Sequence, residues 1–152
     1  MRDLTDLEGY REGNRLEAKK ALGGLPQSIW ETYSAFANTE GGVILLGAEE
    51  RADRSLRAVD LPDPDGMIAE FWRIVCDPAR VSCNILEKKH VQKQIVGGKH
   101  IVVITVPAAV RGCRPVYIGK DPFTGTYRRR GEGDFRCTPE EVSAMLRARG
   151  LQ

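Results

Sequence analysis

The stretch Ala35-Phe36-Ala37-Asn38-Thr39-Glu40-Gly41-Gly42-Val43-Ile44-Leu45-Leu46-Gly47 constrains this chain more than any other. Ile29, Tyr33, Phe36 and Ala37 recur at i, i+4, i+7 and i+8, one apolar stripe of a helix that opens near Pro26. Asn38 to Gly42 ends that helix. Val43 to Leu46 then forms a short apolar run without polar interruption, which reads as a strand buried on both faces. Gly41 and Gly42 permit positive φ and close packing of helix on sheet. A chain built around this corner needs layers on both sides of a central strand.

Size and composition agree with that demand. The 152 residues suit one domain, and 41 % hydrophobic residues supply its core. The 23 Lys plus Arg and 21 Asp plus Glu leave a net charge of +2, which excludes a strongly basic chromatin-type protein. The charge is unevenly spread. Residues 1–110 carry 14 basic and 16 acidic side chains, whereas residues 111–152 carry 9 and 5, so the basic excess lies in the last quarter.

Cys76, Cys83, Cys113 and Cys137 form no C-x-x-C pair, which argues against zinc and for reduced thiols. Met1 opens a polar stretch without a signal peptide, and residues 1–11 read as loose chain or a short helix. The longest apolar stretch, Ile101 to Val110, is broken by Pro107 and is about half a membrane span. A cytoplasmic protein without membrane association is expected.

Along the chain, residues 15–19 alternate as a strand with Glu17 and Lys19 on one face and Leu16 and Ala18 on the other. Glu49 to Arg57 reads as a charged turn or hairpin, followed by a short strand near 56–59. A second helix over roughly 65–76 carries Met67, Ile68, Phe71, Trp72 and Val75 on one stripe. Residues 81–96 and 99–106 suit two strands joined at Gly97-Gly98. A further hairpin is expected between 115–118 and 125–130, around Asp121-Pro122. Thr138-Pro139-Glu140-Glu141 is a capping box that starts a last helix over 142–149. The expected class is α+β, a mixed and mostly antiparallel sheet of about six strands with about three helices.

Two groups of residues have the chemistry for a site. Glu12, Glu17 and Lys19 can meet if Gly13-Asn14 makes a bend, and Glu49 or Glu50 can bring a third carboxylate to the same edge. Carboxylates hold a divalent ion and a Lys steadies phosphate charge, as a magnesium-dependent phosphodiester site needs. In Tyr127-Arg128-Arg129-Arg130-Gly131, alternation puts Arg128 and Arg130 on one face, suited to phosphate, with Arg111 and Arg114 in the preceding loop. An edge strand charged against self-pairing would show the same pattern. No G-x-x-x-x-G-K-[ST] phosphate loop is present.

Five segments in order resemble the Schlafen AlbA-like family, to which DNA binding is ascribed. They are Glu12 with Leu16-Glu17-Ala18-Lys19, the stretch 35–47, Pro107 with Arg114-Pro115-Val116-Tyr117, Tyr127 to Gly131, and Thr138 to Val142. The resemblance runs from about residue 12 to about 146, so 1–152 is expected as a single such domain, the N-terminal part of a longer regulator. It implies an α+β fold, contact with DNA or RNA through Lys19, Arg111, Arg114, Arg128 and Arg130, and a homodimer. The implied role is the DNA-binding domain of a bacterial-type transcriptional regulator, with no resident cofactor. Dimerisation alone, as a scaffold, is a further alternative.

Animal Schlafen proteins include metal-dependent endoribonucleases that cut transfer RNA with three carboxylates. By that branch of the resemblance, Glu12, Glu17, Lys19, Glu49 and Glu50 would be catalytic, and Glu12, Glu17 and Glu49 would hold Mg²⁺ or Mn²⁺. Two departures stand against it. Ala18 replaces the family's Phe, and Glu at 49 or 50 is one methylene longer than the nuclease branch's Asp.

Overall fold

The computed structural model describes residues 12–150, and the expectation for residues 1–11 lies outside them. Eight strands and four helices are described, in the order β1 (Leu16–Lys19), α1 (Ile29–Ala37), β2 (Gly42–Leu46), β3 (Ala48–Glu50), β4 (Leu56–Ala58), α2 (Pro64–Val75), β5 (Val91–Val96), β6 (Lys99–Val106), α3 (Pro122–Gly125), β7 (Tyr127–Arg130), β8 (Gly133–Arg136) and α4 (Pro139–Gly150). The α+β class is as expected. The strands divide into a four-stranded sheet, ordered β1-β2-β6-β5, and two separate hairpins, β3–β4 and β7–β8.

β1 and β2 run parallel, joined by the α1 crossover, and the other pairs in the sheet are antiparallel. β2 is buried along its whole length because each face has its own cover. Ile44 and Leu46, with Val102, Ile104 and Val106 of β6, pack under α1 and α2. Val43 and Leu45, with Leu16, Ile101 and Val103, pack under Ala48, Leu56 and Ala58 of the β3–β4 hairpin. On the helical side Trp30 stacks on Phe71 with ring centroids 5.1 Å apart, tying α1 to α2.

The corner between α1 and β2 shows why glycine stands at both positions. Gly41 has φ +77°, and a Cβ there would lie 2.7 Å from the Val106 carbonyl oxygen. A Cβ on Gly42 would meet the Phe36 ring at 2.8 Å. Any larger residue would push the helix end off the sheet.

α1 departs from the expected single stripe. Of its nine residues only Glu31 is not buried, and even Thr32 and Ser34 are enclosed. The β7–β8 hairpin covers the face that the sheet leaves open. The small hydroxyls on that face are matched one by one. Ser34 Oγ donates to the Val116 carbonyl at 2.6 Å and Thr32 Oγ1 to Asp134 Oδ2 at 2.6 Å. Paired in this way, polar groups are buried without the cost of a lost hydrogen bond.

Two strand expectations are corrected. Residues 81–90 are not a strand; they run as irregular chain to a 3-10 turn at Lys88–His90, and β5 begins at Val91. The hairpin expected around Asp121 shrinks to one bridge, Tyr117 to Thr126. There Asp121 caps a helical turn, accepting the Phe123 N–H at 2.9 Å with Pro122 behind it, so the loop coils as α3. β7 pairs instead with β8 through the two-residue Gly131-Glu132 turn. The closing capping box is present: Glu141 N donates to Thr138 Oγ1 at 3.1 Å, and Thr138 N to Glu141 Oε1 at 2.7 Å. All four cysteines are free, and burial pushes the Cys137 thiol up to about 11.

Candidate nucleic-acid interface

The β7–β8 hairpin has one docked face and one outward face. Residues opposite each other on antiparallel strands share a face, so the register Arg129↔Asp134 marks one side and Arg128↔Phe135 with Arg130↔Gly133 the other. The docked side is organised by Arg129, whose side chain is fully enclosed. Its Nη2 lies 2.8 Å from Glu17 Oε1 and 2.8 Å from the Gly13 carbonyl, and its Nη1 lies 2.7 Å from Asp134 Oδ1. The Leu16 carbonyl accepts a further bond at 3.3 Å, and the guanidinium sits 5.0 Å from the Phe36 ring centroid. Burial disfavours the charge of Arg129, but the bonds to Asp134 and Glu17 outweigh it and raise its pKa. This arginine therefore fixes the Gly13–Leu16 turn and the side chain of Glu17.

Asn38 performs a similar task one helical end away. Its Nδ2 donates to the carbonyls of Val116, at 2.8 Å, and Tyr127, at 3.0 Å, while its Oδ1 accepts the Val116 N–H at 2.8 Å. Thr39 Oγ1 accepts the Arg129 N–H at 3.0 Å. The polar residues of the helix–strand corner are thus cross-braces that hold β7 against α1.

The outward side carries Arg128, Arg130 and Phe135. Arg130 and Phe135 are exposed, with the guanidinium 5.7 Å from the ring centroid. Arg128 is partly committed: its Nη1 lies 3.0 Å from Glu141 Oε2, and its Nε is buried without a hydrogen-bond partner.

The remaining basic candidates stand elsewhere. Arg114 is an internal clamp, donating to the carbonyls of Ala109, Asn38 and Thr39 at 2.8, 3.1 and 3.0 Å, so these donors are spent on the fold rather than offered to phosphate. Arg111 is exposed on the 3-10 turn Arg111–Cys113 that packs against α4. Lys19 donates to Ser28 Oγ at 3.0 Å and faces Glu17 at 3.8 Å.

The acidic candidates divide as well. Glu12, Glu50 and Glu132 bring one carboxylate oxygen each within 4.8 Å of one another. Glu132, in the β7–β8 turn, is not among the carboxylates expected from the sequence. Only the hairpin's fold brings it beside residues 82 and 120 positions away. Glu12 Oε2 accepts the Ala18 N–H at 2.9 Å, and Glu132 pairs with Arg54. Burial raises the Glu12 pKa most, and the charges of Glu17, Glu50 and Glu132 add to the rise against the Ala18 bond. Glu17 is near enough to act on Glu12 but is held by Arg129. Glu49 does not join them. It alternates to the other side of β3, where Arg57 binds it and Lys20 lies 3.5 Å away, and the Arg57 bond lowers its pKa.

A domain with a parallel β1–α1–β2 crossover, an antiparallel extension and an arginine-anchored hairpin is what this geometry defines. The sequence profile of the family Schlafen, AlbA_2 matches residues 12–138, and the chain belongs to that family. The solution structure of the N-terminal domain of a protein from Nitrosomonas europaea related to the ATP-dependent DNA helicase RecG is similar, at 32 % identity and a TM-score of 0.67, over 91 % of this chain and 95 % of that one. The DIP2311 protein from Corynebacterium diphtheriae shares the fold at 19 % identity and a TM-score of 0.53, over 90 % of this chain, which spans about a quarter (24 %) of that protein. No curated protein matches the chain. Among the described residues no helix is long and apolar enough to cross a membrane.

Proposed function

We propose that this chain is a nucleic-acid-binding domain, serving DNA recognition within a transcriptional regulator, and that it grips phosphate through the outward face of the β7–β8 hairpin. The observation that carries this reading is the division of the hairpin. Arg129 consumes its charge inside the fold, while Arg130 beside it, and in part Arg128, direct theirs outward. Guanidinium groups on an exposed strand suit phosphate oxygens, and a rigidly docked inner face keeps them in place. The DNA-helicase relationship of the similar Nitrosomonas protein supports the same reading.

Binding measured by fluorescence anisotropy then falls steeply with salt, and Arg128→Ala with Arg130→Ala lowers the slope of log affinity against log salt by about 1.8, two phosphate contacts. Arg130→Ala alone has the larger share, because Arg128 is partly neutralised by Glu141. Absence of binding to any DNA or RNA at low salt overturns the proposal.

The acidic group favours a second reading, a metal-dependent nuclease on structured RNA. Glu12, Glu50 and Glu132 offer hard oxygen donors suited to Mg²⁺ or Mn²⁺. The cation would relieve the carboxylate repulsion that, after burial, adds to the rise in the Glu12 pKa. This set differs from the expected Glu12, Glu17 and Glu49, since Glu49 is turned away. Cleavage of transfer RNA that needs Mn²⁺ and is lost in Glu50→Gln supports this reading; intact RNA after prolonged incubation rejects it.

A further inference from the structure

Phe135 is one of five exposed large apolar side chains among the described residues, and the one that lies on the β7–β8 hairpin. It is 49 % exposed in the middle of a basic strand pair, where a charged or small polar residue would serve solubility better. Its ring lies along the strand rather than standing away from it. A Cβ at Gly133 would approach Phe135 Cε2 to 2.8 Å, so the ring lies over the glycine in space that a larger residue would make it leave. Arg130, opposite Gly133, holds its guanidinium 5.7 Å from the ring centroid, close enough to steady the ring. The hairpin thus presents an aromatic platform flanked by cations.

A duplex has little use for such a platform. Its base faces are stacked on one another, and its outer surface offers phosphates, sugars and base edges. An unpaired base has a free π-face and stacks on an aromatic or guanidinium plane, while the neighbouring phosphates meet the cations. Arg128 and Arg130 are two residues apart, about 6.6 Å along the strand, which is comparable to one nucleotide step of an extended single strand. The acidic group at the Gly131-Glu132 turn repels phosphate from that end, which confines the contact to a few nucleotides.

On the reading that this face binds nucleic acid, we infer that its ligand is unpaired nucleotides of DNA or RNA, stacked on Phe135 between Arg128 and Arg130, rather than an intact duplex.

The test uses the whole 152-residue chain and four labelled probes at low salt: single-stranded DNA, single-stranded RNA of the same sequence, the duplex DNA, and a DNA strand of equal length with abasic sites throughout. The expected result is that at least one single strand binds about tenfold more tightly than both the duplex and the abasic strand. Phe135→Ala removes that advantage, so that single strand, duplex and abasic strand bind that variant alike. Phe135→Trp, which keeps a π-face, retains the advantage, and Phe135→Leu, which keeps bulk alone, does not. Thermal unfolding of the three variants shows that each is folded, since the side chain is exposed. Equal affinity for single strand and duplex, or a Phe135→Ala variant that still prefers the single strand, overturns the inference while leaving phosphate binding standing. Failure of every probe to bind removes the reading on which it rests.

Discussion

Arg129 and Arg130 are neighbours on β7 with the same side chain, and the structure puts them to opposite uses. Arg129 is enclosed, with Glu17, Asp134 and two main-chain carbonyls around its guanidinium. Arg130 is exposed, beside Phe135. One turns inward and the other outward because strand side chains alternate, and the difference then grows through the environment. A buried guanidinium demands partners and becomes structural, while an exposed one remains free for a ligand. A count of basic residues treats the two as equal; strand alternation puts them on opposite faces, and the docking of the hairpin on α1 decides which face is buried.

The largest effect that would break this contrast is at Arg129. Arg129→Met strands Glu17 and Asp134 without their cation and costs about 3–5 kcal/mol of stability, a fall in Tm of roughly 10 °C for a chain of this size. Arg130→Met leaves Tm within about 1 °C, as expected for an exposed site. Thermal unfolding of the two variants side by side checks both. Equal shifts would mean that the two faces do not differ as described.

A smaller effect sharpens the picture at the turn where the hairpin meets the acidic group. The folded-state pKa of Glu12 is raised, so its ionised form is disfavoured in the fold. Its charge therefore costs stability at pH values above the folded pKa, and that cost disappears as pH falls below the unfolded pKa. Glu12→Gln keeps an oxygen for the Ala18 N–H and removes the charge. The variant is expected to have the higher Tm at pH 7, with the difference closing by about pH 4. A Tm series across that interval checks the sign. Adding Mn²⁺ at pH 7 raises the Tm of the parent chain and not that of the variant if the group holds a cation.

The smallest effect belongs to Glu141, which joins the capping box to Arg128. Glu141→Gln preserves the cap, because Gln serves at that position, and frees the Arg128 guanidinium. Affinity for single-stranded DNA rises about two- to threefold, with little change in Tm. Unchanged affinity would show that Arg128 takes no part in binding.

Much of the frame was legible in the residues. The helix–glycine–strand corner, the doubly buried β2 and the Thr138 capping box follow from period, glycine placement and capping chemistry, all of which act within a few residues. The separation of Arg128 and Arg130 from Arg129 follows from strand alternation alone. Other features were not legible for equally physical reasons. Apolar stripes made α1 amphipathic, but a second layer buried its polar side, with hydroxyls matched to partners 82 and 102 positions away. Arg114 read as a phosphate contact because sequence shows a charge and not the carbonyls that surround it. Glu49 and Glu50 were interchangeable in sequence until β3 assigned them to opposite faces.

The sequence by itself determined the α+β class, the family and the main local elements, because those depend on near neighbours and recurring motifs. The tertiary structure alone decided that the sheet has four strands with two hairpins laid on it. It also decided that Glu132 completes the acidic group and that one arginine of three is a brace. Each of these outcomes depends on desolvation and on partners remote in sequence, and no local pattern carries that information.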